Sequence, residues 1–538
     1  MNETPPPVSV PTSHSALAPL AHPVFRMLWL AWLIANSCMW MNDVAAAWMM
    51  TSLTTSPVMV ALVQTASTLP VLLLGLPSGA LADILNRRRY LMFTQFWVAA
   101  VALLICLTVL SGTMSARMLL FLTFANGIGL AMRMPVFAAI VPALVPRSQM
   151  PQAIALNGVA MNASRIIGPI VAGALIASVG SVYVFALNAV LSVAAGIVIL
   201  RWRHQPLPTA LPGERFLGAI RLGVQYVRQS SRMHTVLLRV ALFFLQSVAV
   251  LALLPLVARN LQGGAQSFTL LLACLGVGAI ASALVLPRLR HLFELDRLVR
   301  DGTILQAAAT LAVAFAPSLY VAAPAMIAAG AAWLTVANTL SVSAQLSLPD
   351  WVRARGMSIY QMALMGSSAA GAALWGQVAG LSDVRTSLVL AAASGLVTLP
   401  LVRRFRLSAN AEEDLTPWHE ITPPVPGRPL ARDAGPVLVT IEYHIDPARS
   451  AEFRQVMEAT RRSRLRHGAL AWELFRDATD ANRYIEYFID ETWVEHLRRF
   501  DRMTAADAAL RERRLAFQVG DAPPLVSRFI AEPLDPAP

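Results

Sequence analysis

The chain has 538 residues, 56% of them hydrophobic and 14% charged, with a formal net charge of +12. Soluble domains carry about 25% charged residues and about 45–50% apolar ones, so a soluble protein this long would lack the polar material for its surface. Composition therefore excludes an ordinary soluble globular protein and favours membrane embedding. The arginines gather beside apolar spans, where they set orientation in a bilayer; no nucleic-acid partner is expected.

Residues 1–23 open with MNETPPPVSVPTSHSALAPL, rich in Pro and Ser. They lack the basic start and compact apolar stretch of a secretory signal, and a disordered cytoplasmic tail is expected. A bilayer core about 30 Å thick needs about 20 apolar residues per helix. Six such spans are expected in 24–202, at 24–50, 57–82, 90–111, 117–142, 152–178 and 181–202. The central loop, 203–233, contains RFLGAIRLGVQYVRQ, an amphipathic helix suited to the membrane surface. Six more spans fill 234–406, at 234–259, 266–289, 297–316, 318–345, 353–380 and 385–405. A shift of 203 positions lays Pro146 on Pro349, Gly168 on Gly371 and Gly173 on Gly376. The helix-packing stretch GPIVAG, with Gly168, Pro169 and Gly173, then sits on GAALWG. Two related six-helix halves are the pattern of a transporter that rocks around a central site.

Turns after the even-numbered spans hold Arg87, Arg88 and Arg89, then Arg147, the arginines of 201–232, Arg288 and Arg290, and Arg353 and Arg355. The basic side is cytoplasmic, so both termini are expected inside, in a multi-pass protein of the bacterial inner membrane.

After a linker at 407–435, rich in Pro and acid, the pattern changes. PVLVTIEYHI alternates as a strand does, Asp446-Pro447 opens a helix to about Arg466, and WELFRDA with RYIEYFID reads as a hairpin. ETWVEHLRRFDRMTAADAALRERRLAF reads as one helix and PLVSRFI as a last strand. The order β-α-β-β-α-β over 436–530 is ferredoxin-like. The expected fold class is an all-α polytopic membrane protein of about twelve transmembrane helices, followed by a small α+β ferredoxin-like cytoplasmic domain.

Charge inside a membrane is costly and marks candidate functional residues. Asp43, near the outer end of the first span, reads either as a proton- or cation-coupling carboxylate or as an acid snorkelling to outer water. Arg165, mid-way along the fifth span, reads either as a binder of an anionic or catecholate-like substrate or as half of a buried pair, with Asp43 the partner. Asn36, Asn157, Asn162, Gln246, Asn338 and Gln361 are polar side chains in span cores, able to line a path or to bond between helices. Trp, Phe and Met are spread through the spans and none is assigned to a pocket. Cys38, Cys106 and Cys274 lie in apolar segments without metal-like spacing, and no metal or cofactor is expected. No GxxxxGK[ST] loop occurs, so an ion gradient, the proton's first, is the expected drive.

The stretch GALADILNRRRY, residues 79–90, closes the second span. Gly79 and Asp83, four apart, share a helix face. With two six-helix halves, Gly79, Leu81, Ala82, Asp83, Arg87, Arg88 and Arg89 resemble the loop signature of the major facilitator superfamily. PVFRMLWLAWLIANSCMWMNDVAAAWMM, PVFAAIVPALVPRSQMPQAIALNG and ASRIIGPIVAGALI resemble, more narrowly, its transmembrane secretion effectors, a branch that includes siderophore export. The last stretch also resembles the fifth-helix Gly-Pro motif of exporters. The resemblance implies a conformational latch in which Gly79 packs closely, Asp83 is the acid and Arg87 its nearest basic partner. Arg133, in the inner half of the fourth span, reads either as a further latch partner for Asp83 or as a plain interfacial arginine. Thr123 stands where proton antiporters carry arginine.

The C-terminal segment resembles the antibiotic-biosynthesis-monooxygenase-like domain, which implies dimerisation through its sheet. Its His444, His467, His496, Trp472 and Trp493 show no metal spacing or nucleophile pairing, so a regulatory or dimerising module is expected rather than an enzyme. Trp493 and His496 share a helix face. The function expected is secondary active export of a small molecule (siderophore, drug or metabolite) by alternating access. The alternative is a membrane-tethered monooxygenase-like enzyme or a ligand sensor acting through the C-terminal domain.

Overall fold

The computed structural model describes residues 17–140, 144–146, 149–202, 216–261, 264–407, 414–418, 424–427, 429–431, 433–520 and 522–532. Side chains 80, 82–84, 135, 138, 139, 151, 154, 155, 162, 216, 217 and 219 are not described. The expected N-terminal tail and most of the linker lie outside these residues.

Backbone polar groups in hydrocarbon must be satisfied within their own segment, so the apolar runs form helices. The first half is α1 (Pro23–Leu53), α2 (Pro57–Ile84), α3 (Arg87–Leu110), α4 (Ala116–Ile140), α5 (Met150–Ser178) and α6 (Ser181–Arg201). Amphipathic α7 (Phe216–Gln229) leads to α8 (Ser231–Asn260), α9 (Ala265–Leu292), α10 (Leu295–Ala314), α11 (Leu319–Leu346), α12 (Asp350–Leu381) and α13 (Val384–Val402). Among the described residues nine helices are long and apolar enough to cross a membrane; α4, α10 and α12 complete the two bundles. Local signals set the ends. Asn86 accepts from the Arg88 and Arg89 N–H groups at 3.1 and 3.2 Å, so α3 starts on the arginine cluster itself. Asp383 caps α13 by accepting from Thr386 N–H at 3.0 Å.

Glycines let the helices approach, and the repeat seen in the sequence is visible in what they touch. A Cβ on Gly168 would lie 2.8 Å from the Ser37 carbonyl of α1, and one on Gly371 would lie 2.2 Å from the Leu245 carbonyl of α8. Gly173 faces Thr269 of α9 across the interface between halves, as Gly376 faces Ala61 of α2. Each glycine of α5 thus meets the counterpart of the helix met by its mate on α12. The halves join mainly along α2 with α12 and α5 with α9.

At the end away from the arginines one apolar core spans both halves, taking in Met50, Ala61 and Phe185 with Leu253, Phe268 and Trp375. Trp48 stacks on Phe268 at 5.3 Å, and Arg259 donates to the Thr51 carbonyl. At the arginine-rich end the core divides. One cluster gathers Trp32, Tyr90, Phe137 and Trp202 in the first half; another gathers Tyr226, Phe243, Val336 and Tyr360 in the second. One apolar core thus seals one end across both halves, while at the other end the core divides between them.

The C-terminal domain has β1 (Val437–His444), α14 (Ser450–Arg466), β2 (Ala471–Arg476), β3 (Arg483–Asp490), α15 (Trp493–Asp501), α16 (Ala505–Leu515) and β4 (Leu525–Ile530). Its antiparallel sheet runs β2-β3-β1-β4, the ferredoxin-like order. The single helix expected over 491–517 is two. Thr504 and Asp507 form a capping box, with Thr504 Oγ1 donating to Asp507 at 2.6 Å, and this starts α16 afresh. The domain docks at the arginine-rich end. Arg221 of α7 pairs with Glu491, Gln225 donates to the Ala469 carbonyl at 2.6 Å, and Trp351 of α12 lies 6.0 Å from the His467 ring.

A Cβ on Gly330 of α11 would lie 1.9 Å from the Leu275 carbonyl of α9, a backbone atom that cannot rotate away. Gly330→Val is expected to lower the thermal unfolding midpoint of the purified protein by several degrees, as overpacking of about 1–3 kcal/mol implies. Gly158→Ala, where an added Cβ meets nothing within 4 Å, is expected to leave it unchanged.

Candidate functional site

A cavity of about 60 Å³ lies between the halves. The first half contributes Trp40 and Asp43 of α1, Gln64, Ser67 and Thr68 of α2, Asn126 of α4 and Arg165 of α5. The second contributes Phe244 of α8, Trp333 of α11 and Ser368 of α12. Arg165, at the middle of α5, is gripped from both sides. Its guanidinium lies 5.7 Å from the Trp40 ring centre and 4.8 Å from that of Trp333. Its Nε is buried without a hydrogen bond. Among the described residues Arg165 forms no ion pair; Asp43 lines the same cavity without joining it. The hydroxyls of Ser67, Thr68 and Ser368 donate to carbonyls of their own helices at 3.2, 2.8 and 2.9 Å. Asn126 Oδ1 is buried without a donor. The wall thus offers one guanidinium, one carboxyl, two amides (Gln64 and Asn126) and two indole faces; the guanidinium and the indoles are groups that hold an anionic or aromatic solute.

The other candidates fall elsewhere. Arg133 is buried inside the first half, donating to the Ala35 carbonyl at 3.3 Å and to Asn36 Oδ1 at 3.4 Å, with its guanidinium 5.4 Å from the Trp32 ring. Asn36 also donates to the Trp32 carbonyl at 2.8 Å, so it belongs to that packing. Gln246 lies within the second half against Gly395. Asn338 accepts from Arg290 of α9 at 3.1 Å, and Gln361 is half-buried on α12 away from the cavity wall. Gly79 lies near the end of α2 and Arg87 opens α3. The side chains of Asp83 and Asn162 lie outside the described residues. Sequence reasoning left Trp40 and Trp333 unassigned, and nothing in a run of apolar residues separates an indole facing lipid from one facing a cavity. Gln64, with Ser67 and Thr68 three and four positions on, had a signal: polar residues on one face of an apolar helix.

The C-terminal domain holds a second polar cluster. Glu486 of β3 is fully buried and accepts from Arg464 Nε at 2.9 Å, Trp472 Nε1 at 3.0 Å and Tyr443 Oη at 2.8 Å, with Arg514 at 3.7 Å. Burial alone would push its carboxyl up, but Arg464 and Arg514 together outweigh this and hold it at about 2. Asp490 bonds Arg499 and His496 Nδ1, the latter at 2.9 Å, and Arg528 Nε donates to His496 Nε2 at 3.1 Å. Those partners leave His496 a neutral imidazole protonated on Nδ1; burial draws its pKa down, over the opposite pull of Asp490. Trp493 lies 5.4 Å from the His496 ring.

A family model described as transmembrane secretion effector matches residues 14–534. The chain belongs to the transmembrane secretion effector family. It is 26% identical over 402 residues to the enterobactin exporter EntS of Escherichia coli O1:K1 / APEC, covering 72% of this chain and 94% of that one. The same shares hold for EntS of Shigella boydii serotype 18. The fold matches solved transporters: the nucleoside transporter NupG (TM-score 0.57, 12% identity, 71% of this chain and 98% of that one) and an inward-facing, occupied bacterial homolog of Spinster (0.57, 15%, 72% and 98%). This family member is thus a membrane transporter of the major facilitator type, embedded in lipid and acting on a small molecule.

Because the Glu486 carboxyl is held below its ordinary 4.5, the stability it gives this effector's C-terminal domain is full above pH 4.5 and lost as pH falls toward about 2. Glu486→Gln is expected to strip Arg464 and Arg514 of their counter-charge and to cost about 3–5 kcal/mol. Hydrogen exchange of the β3 amides should rise sharply in the variant at pH 7 and in the wild type only below pH 4.

Proposed function

We propose that this effector exports a small aromatic anion, catecholate-like in character, across the bacterial inner membrane by alternating access. The observation that carries the reading is Arg165, a mid-bundle cation held between one indole from each half. A guanidinium with a free buried N–H attracts a carboxylate or catecholate, and the indoles stack on a ring. The relatives to which the chain is similar are enterobactin exporters by name, which supports that class. Placing the arginine-rich end in the cytoplasm, with both termini inside, makes the conformation described above the one that takes up substrate from within.

Alternation requires the sealed end to part and the arginine-rich end to close. Gly79, Asp83 and Arg87, at the junction of α2 and α3, are proposed as the latch of that closed state, with Arg133 released from α1 as a further partner. Asp43, on the wall of the same cavity, is proposed as the proton-coupling carboxylate. The outer face of the C-terminal sheet carries exposed Phe475, Leu525 and Phe529, and a second copy of the domain is proposed to pair there.

Inside-out vesicles supply the test. Uptake of enterobactin driven by an acidified lumen is expected in the wild type, and Arg165→Gln is expected to lower it about tenfold or more, the loss of one charged contact. Asp43→Asn is expected to keep downhill uptake and lose the response to lumen pH. Wild-type rates in Arg165→Gln would remove the binding role. No uptake of enterobactin by the wild type, alongside uptake of cationic drugs, would overturn the substrate class.

A further inference from the structure

The C-terminal domain encloses a cavity of about 310 Å³ between the inner face of its sheet and helices α14, α15 and α16. Arginines reach it from four elements: Arg464 from α14, Arg499 from α15, Arg514 from α16 and Arg528 from β4, with Arg511 at the rim. The acids around it are Glu486 and Asp490, paired with Arg464 and Arg499, and Asp507, paired with His467. Each is already filled: Glu486 and Asp490 as described, and Asp507 by Ser463 Oγ at 2.7 Å, Thr504 Oγ1 at 2.6 Å and His467 at 3.3 Å. His496, neutral between Asp490 and Arg528, adds no charge. Arg464, Arg499 and Arg514 face inward against Glu486 and Asp490, a surplus of one positive charge, while Arg511 and Arg528 are exposed.

Arg499 is 4% exposed and Arg514 8%, and the Nε and Nη1 of Arg499 and the Nε of Arg514 are buried without an acceptor. Buried cationic N–H groups without acceptors are costly, and an oxyanion between them would relieve that cost. The rest of the wall sets apolar Ile441, Phe488, Phe500 and Leu510 beside polar Thr460, Ser463, His467 and His496. We infer that this cavity is a binding site for a small organic carboxylate with an apolar ring, and that its occupancy is passed to α12 through His467.

The route is short. His467 lines the cavity and bonds Asp507, its ring lies 6.0 Å from Trp351, and its carbonyl accepts from Arg502 at 3.1 Å. Arg502 in turn lies over the Trp351 ring at 5.4 Å. Trp351 is in the first turn of α12, the helix that packs along α2 where the halves meet. A ligand that shifts His467 therefore acts on a helix that must move during transport. This inference stands independently of the transported substrate.

Salicylate is the probe, with benzyl alcohol as its uncharged counterpart, measured by equilibrium dialysis on the full-length protein in detergent. Saturable salicylate binding is expected, with none for benzyl alcohol. Arg499→Gln is expected to weaken it about tenfold or more, and Leu510→Trp, which fills the cavity, to abolish it. Arg165→Gln is expected to bind as the wild type does, separating this site from the transport cavity. Should Arg499→Gln fail to fold, Leu510→Trp decides. Absence of saturable binding, unchanged binding in Leu510→Trp, or loss of binding in Arg165→Gln would overturn the site. Salicylate is also expected to slow hydrogen exchange over 463–470 and 350–356; protection confined to the C-terminal domain would overturn the route to α12.

Discussion

A guanidinium at the centre of an apolar bundle, with no carboxylate on it among the described residues, is the constraint around which this molecule is arranged. A charge in a low-dielectric interior costs several kcal/mol even after relaxation, and two desolvated indole faces return about 2 kcal/mol or more each. Packing alone would be better served by an apolar residue at position 165. Arg165 also ties α5 of one half to α11 of the other through Trp40 and Trp333. Motion of the halves must break or remake that grip, so the group proposed to attract a solute would also sense the conformational cycle.

The halves can move because of how they touch. Gly168 and Gly371 bring α5 and α12 against the first helix of their own half, and Gly173 and Gly376 bring the same helices against the other half. Contacts made through bare backbone involve few interlocked side chains and suit sliding. The shared core at one end and divided cores at the other show which side is sealed here. The C-terminal domain sits on α7 and the start of α12 at the divided end, against the elements that would move.

Much of this architecture was readable in the chain because lipid imposes a simple rule on backbone and side chain alike. Span lengths, the amphipathic α7, the glycine repeat at 203 positions and the strand order of the C-terminal domain all follow local patterns. The break between α15 and α16 was missed because apolar periodicity runs through 491–517; Thr504 and Asp507 sit three apart as a capping box and mark it. Asp43 and Arg165, two intramembrane charges, line one cavity wall, whereas Gln246 and Asn338 pack within the second half. The difference lies in which face of a helix meets the other half, a tertiary fact. The indoles of Trp40 and Trp333 were hidden for the same reason.

The central claim is that transport around Arg165 requires the sealed end to open. Val58 of α2 and Gly380 of α12 face each other there, with a Cβ on Gly380 placed 2.7 Å from the Val58 side chain. The most direct measurement is substrate uptake by a Val58→Cys, Gly380→Cys variant lacking Cys38, Cys106 and Cys274, before and after oxidation. The account predicts that the disulfide forms, that uptake stops and that reduction restores it. Full uptake by the cross-linked protein would contradict it.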